Sequence, residues 1–146
     1  MKKQSSKKKM SATYINESDD SEDYNQKTKQ ALIELAKESL SFQEVLILTH
    51  NKDENVRIKA LQRLCPCRVG DEYEQFWNRI FEMAEDPSPK IRYQVLHNMC
   101  DGSPDSMEER VVDALEKFNR DSDPEVKRRA HKVMASYLRT GKWNVL

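Results

Sequence analysis

The chain has 146 residues, enough for one domain with a real core and too few for two. Its 25 basic and 25 acidic residues cancel, so bulk charge directs it to neither nucleic acid nor membrane. Three cysteines, an odd number behind no secretory start, do not make a disulfide framework and point to a reducing cytoplasm.

Residues 1–26 carry lysines at 2, 3, 7, 8 and 9, then acids at 17, 19, 20, 22 and 23. No apolar segment follows the early lysines, so they do not open a signal peptide. With almost no aliphatic content the segment buries too little to offset its ordering entropy, and a disordered arm is expected. A basic arm touching nucleic acid or anionic lipid is the rival reading, weakened by the acids beside it.

The spacing then predicts helices. Thr28–Leu40 places Ala31, Leu32, Leu35 and Ala36 on one stripe. Ser41 and Glu44 form a capping box for a helix to about His50, with Phe42, Val45, Leu46 and Thr49 facing inward. A helix over about 53–65 buries Val56, Ala60, Leu61 and Leu64, and Pro66 ends it. Residues 72–85 follow, with Tyr73, Phe76, Trp77, Ile80 and Ala84 at helical spacing. Ser88 caps a helix with Pro89 at its first position, where the missing amide costs nothing; Ile91, Val95 and Met99 are its buried face. Ser106 and Glu109 read as another capping box, opening a helix with Val111, Ala114, Leu115 and Phe118. The last helix starts at Asp123-Pro124, buries Val126, Ala130, Val133, Met134 and Leu138, and stops at Gly141. No stretch reads as a strand. The longest aliphatic run, Val45–Leu48, is far short of a membrane span.

One phrase is written three times along this path. Val56, Ile91 and Val126 each open a buried face after a polar turn, and each pair is separated by 35 residues. A period of that size means a stack of helical hairpins. Gly70, Gly102 and Gly141 all fall after the second helix of a hairpin, and no proline is placed in mid-helix. The fold class is therefore all-α. The expected architecture is an α-solenoid of about three hairpins over 27–146, with the helix from Thr28 as N-terminal cap.

The repeated turn carries a resemblance. Asp86, Pro89, Ile91, Arg92 and Val95, then Asp121, Pro124, Val126, Lys127 and Ala130, resemble a HEAT repeat, with a weaker copy at Asn51, Glu54, Val56, Arg57 and Ala60. The resemblance covers roughly residues 41–140, in the short form found in bilin-lyase subunits and other small bacterial proteins. The first-helix pattern of tetratricopeptide repeats does not recur. The resemblance implies a structural ladder from repeat to repeat through Arg57, Asp86, Arg92, Asp121 and Lys127. Helix geometry agrees, since Arg57 lies within about 40° of the centre of the Val56/Ala60/Leu64 stripe.

Opposite that stripe, positions 58, 59 and 62 and their equivalents form a surface grid: Ile58, Lys59, Gln62; Tyr93, Gln94, His97; Arg128, Arg129, Lys132. In HEAT-type stacks such second helices line the concave side. The grid holds four fixed positive charges and no negative one, whereas residues 71–86 and 105–121 hold six acids each. A charge run is usually a solvated face, and helix starts favour acids without any function. The functional readings are non-catalytic binding of an acidic helix or tail of another protein or, alternatively, binding of the nucleic-acid backbone, as in HEAT-like DNA glycosylases. No membrane partner, small-molecule substrate or cofactor is expected.

Cys65, Cys67, His97 and Cys100 are a conceivable zinc set, but the Cys-Pro-Cys spacing is unusual and cysteine is a common core residue. A Cys–His nucleophile lacks an orienting third group at recognisable spacing, and there is no glycine-rich phosphate loop. His50 and His131 read as flank residues. Trp77 reads as core, in the slot of Phe42 and Val112. The apolar tail, residues 142–146, is expected to fold back over the last helix, with docking on another subunit as the alternative.

Overall fold

Val56, Ile91 and Val126 sit at the first turns of three helices and are fully buried. A computed structural model of the chain describes residues 17–37, 39–65 and 74–146. Among these the protein is all-helical: α1 (Glu17–Ala36), α2 (Phe42–Leu48), α3 (Glu54–Arg63), α4 (Glu74–Met83), α5 (Pro89–Gly102), a 3-10 turn (Asp105–Met107), α6 (Glu108–Phe118) and α7 (Pro124–Thr140). None of them is long and apolar enough to cross a membrane.

Three helix pairs follow from the sequence: α2 packs on α3, α4 on α5 and α6 on α7. The second helices also pack on one another, α3 on α5 and α5 on α7, and α1 extends this row by packing on α3. The core runs continuously between the two rows. Leu61, Leu64, Leu96 and Met99 from the second helices meet Phe76, Trp77, Ile80, Val111, Leu115 and Phe118 from the first. On the far side the first helices are linked by polar pairs, each 32 residues apart: Gln43–Gln75, Arg110–Asn78 and Lys117–Glu85.

Local rules set most boundaries. Ser41 and Glu44 make the reciprocal capping box. Asp53 and Asp123 cap α3 and α7, each carboxylate accepting from two amides of the first turn. Gly141 closes α7 in the left-handed conformation at φ 71°, which a side chain would strain.

Five expectations are corrected. Helix α1 begins at Glu17 and not at the expected Thr28, and Asp23 pairs with Lys27 one turn on. Ser88 is the N-cap of α5, yet its hydroxyl caps nothing and is buried without a hydrogen-bond partner. Ser106 forms no capping box, because the chain enters from Pro104 through the 3-10 turn and puts Ser106 inside it. Leu138 is 76% exposed, because the position in line with Val126, Ala130 and Val133 is Tyr137. Ala36 is also exposed, at the end of α1. Pro66, Cys67, Gly70 and Tyr73, with residues 1–16, lie outside the described residues.

Candidate functional site

The turns before α3, α5 and α7 are built alike. Asn51, Asp86 and Asp121 each accept the amide two residues on through a side-chain oxygen, an Asx turn. The arginine six residues later turns back and donates Nη1 to two carbonyls of the same turn: Arg57 to Asn51 and Lys52, Arg92 to Asp86 and Pro87. Its other edge reaches forward to the next carboxylate. Arg57 binds Asp86 through Nε and Nη2 at 3.0 and 3.1 Å, and Arg92 binds Asp121 at 2.8 and 2.9 Å. This planar two-point geometry is available to arginine and not to lysine.

The ladder ends where the partners end. Lys127, expected as its last member, is exposed, and no aspartate or glutamate follows it among the described residues. At the other end Asn51 replaces aspartate, and no described arginine precedes it. The hydrogen bond to Asp121 raises the pKa of Arg92 further. Burial alone would raise Asp121, but the Arg92 hydrogen bond and the Asp123 amide outweigh it and hold the carboxyl below its usual range.

The grid of second-helix positions divides into three places. Ile58, Tyr93 and Gln94 line an open groove of about 500 Å³ with Pro89, Lys90, Asp123 and Glu125. Tyr93 and Glu125 carry it into an adjoining hollow of about 350 Å³ with Arg128, Arg129, Lys132 and Leu146. Lys59 and Gln62 instead face α1, in a separate hollow with Leu32, Leu35 and Arg63. His97 lines neither part of the groove.

The groove is less basic than the grid predicts. Asp123 and Glu125, on the first turn of α7 and outside the grid, enter it, and Glu125 pairs with Arg128. Arg129 lies over the Tyr93 ring, 4.7 Å from its centroid, and hydrogen-bonds its hydroxyl. Four cations (Lys90, Arg128, Arg129, Lys132) therefore face two acids, and apolar surface from Ile58, Pro89 and Tyr93 forms the floor. Gln94 is tied to Asn98, whose amide donates to the Leu61 carbonyl of α3.

Of the zinc set read from the sequence, Cys67 lies outside the described residues and Cys100 does not join Cys65 and His97. Cys100 is fully buried in the core, and burial pushes its thiol up to about 12. Cys65 and His97 do converge, with Asp101 as a third member that the sequence reading missed; one ligand atom from each lies within 4.8 Å of the others. Cys65 donates its thiol proton to Asp101 at 3.1 Å. In a nucleophilic triad the carboxylate would orient the histidine, and here it holds the thiol itself.

The tail, residues 142–146, packs back as expected but on α5 as well as α7. Trp143 is buried, donating Nε1 to Ser103 Oγ at 2.6 Å, and its ring meets Tyr137 edge-on. Leu146 donates its amide to the Cys100 carbonyl. Comparison with protein-family models, curated proteins and solved structures gives no match.

Proposed function

We propose that the chain is a short α-solenoid of three HEAT-like hairpins capped by α1, and that it works as a non-catalytic cytoplasmic scaffold. Its binding surface is the second-helix face, and its partner is an acidic amphipathic segment of another protein. One observation carries the reading: an apolar floor of Ile58, Pro89 and Tyr93 runs directly into the cationic end at Arg128 and Lys132. An amphipathic helix matches both halves, apolar anchors on the floor and carboxylates at the end. The 35-residue equivalence of Arg57–Asp86 and Arg92–Asp121 supports the repeat reading, because each hairpin is joined to the next by the same pair.

The test is an amide-shift titration of the full chain with a synthetic leucine- and glutamate-patterned amphipathic peptide, set beside a random-sequence DNA duplex. Shifts around Ile58, Tyr93 and Lys132 with the peptide, lost in the Arg128→Glu/Lys132→Glu variant, support the proposal. Shifts with the duplex alone overturn it in favour of phosphate-backbone recognition, which Asp123 and Glu125 oppose by repulsion. No shifts with either remove the groove as a binding surface.

A further inference from the structure

Cys65 leaves the end of α3, while His97 and Asp101 stand one turn apart on the same face of α5. These are three different donor types, a sulfur, an imidazole nitrogen and a carboxylate oxygen, brought together from two hairpins. Their ligand atoms all lie within 4.8 Å of one another, and Cys65 Sγ is 3.1 Å from Asp101 Oδ2. Zinc bonds of about 2.0–2.3 Å at tetrahedral angles hold such atoms about 3.3–3.7 Å apart, so the cluster closes on an ion by an adjustment of about 1 Å.

The cluster also breaks the repeat. One register further on, the same three places hold Cys100, Lys132 and Ser136. A cation and a hydroxyl there cannot complete a metal site. The three donors therefore meet once among the described residues, which packing of an ordinary repeat does not call for. Both Cys65 and His97 are half-buried, so side-chain adjustment is open to them and solvent reaches the cluster.

We propose that Cys65 Sγ, an imidazole nitrogen of His97 and a carboxylate oxygen of Asp101 bind one zinc ion between α3 and α5. Thiolate with imidazole selects zinc over magnesium or calcium, which take all-oxygen shells. Binding replaces the thiol proton, now directed at Asp101, by the ion, and that proton leaves to solvent. The ion joins the first hairpin to the second at the ends of their second helices. This inference stands apart from the groove, which none of Cys65, Asp101 and His97 lines.

The experiment is titration of the metal-free full chain with zinc chloride against a competing chromophoric chelator, repeated with cobalt chloride. The expected result is one zinc per chain, a rise in Tm on adding zinc, and a sulfur-to-cobalt charge-transfer band. Cys65→Ser removes that band, and Cys65→Ser, His97→Gln and Asp101→Asn each weaken zinc by at least ~10-fold. Melting of each variant with chelator present, compared with the unaltered chain under the same conditions, separates loss of the site from loss of fold. Should Cys65→Ser fail to fold, the Asp101→Asn titration decides alone. Absence of stoichiometric zinc, or zinc binding that survives all three substitutions, overturns the proposal.

Discussion

The Arg92 guanidinium grips the Asp121 carboxylate through two parallel hydrogen bonds, while its third nitrogen holds the carbonyls of Asp86 and Pro87. One side chain thus closes its own turn and joins it to the next. The Asp86 carboxylate stands in the same relation to Arg57, 29 residues earlier, as Asp121 does to Arg92. Both ion pairs are largely shielded, with the aspartate side chains under one-tenth exposed. Charge-assisted hydrogen bonds count for more there than at an open surface.

Arg92→Ala therefore destabilises the chain, because it leaves Asp121 shielded and unpaired and frees two turn carbonyls. Breaking a shielded pair of this kind costs about 2 kcal/mol, a fall in Tm of roughly 4–8 °C for a chain of this size. Lys127→Ala, at the equivalent place one repeat on, changes stability by less than about 0.5 kcal/mol, since that side chain is exposed. Thermal melts of the two variants side by side check the contrast. Equal effects would show that the ladder does not end at Asp121.

The same pair fixes a pH dependence. Asp121 has a folded pKa below its unfolded value of about 3.9, so the unfolded chain takes up its proton first as the solution is acidified. The stability this supplies is fully present above the unfolded value and drains away as the pH falls through the lower folded one. Asp121→Asn abolishes that part of the acid limb while lowering stability at neutral pH. Denaturant melts across the acid range measure it. An unchanged slope in the variant would assign the acid sensitivity to other carboxylates.

The residues that carried the repeat were legible because their signals are local. Asp before Pro, an aliphatic residue two places on and an arginine after it each act within one turn of chain, and they recur at a period that needs no knowledge of packing. Arg57 and Arg92 could be placed beside the buried stripe from helix geometry alone. Relations across helices were not legible in the same way. Asp101 meets Cys65 and Arg129 meets Tyr93 at offsets of 36 residues, one off the repeat, and the period alone does not encode that offset. The Ser106 capping pattern failed because Pro104 imposes a different entry, and Asp123 and Glu125 line the groove without belonging to the grid because they precede the positions opposite the buried stripe.

Caps provide an internal comparison among three equivalent helix starts. Asp53 and Asp123 each satisfy two first-turn amides, so alanine at either costs about 1 kcal/mol. Ser88 occupies the corresponding place before α5 but donates and accepts no cap bond through its hydroxyl, which is buried. Ser88→Ala is accordingly neutral or slightly stabilising, since it removes an unsatisfied polar group. Chemical denaturation of the three alanine variants gives the order directly. A loss at Ser88 comparable to the other two would mean that its hydroxyl finds a partner in solution.

The tail offers the sharpest test of long-range packing. Trp143 is 5% exposed, its ring against Tyr137 and its indole nitrogen on Ser103 at the end of α5. Asn144 adds two further bonds to the Ser103 backbone, one to the amide at 3.1 Å and one from its own amide to the carbonyl at 2.8 Å. Trp143→Ala removes a buried aromatic surface that α5 and α7 share, at a cost of about 3 kcal/mol. Trp143→Phe keeps most of that surface and loses the indole hydrogen bond, leaving the Ser103 hydroxyl without its donor, for a loss of about 1 kcal/mol. Hydrogen exchange localises the effect: amides at the C-terminal ends of α5 and α7 lose protection in Trp143→Ala, while those of α3 do not. If Trp143→Ala melts with the unaltered chain, the tail is not part of the folded unit, and Ser103 must be satisfied in some other way.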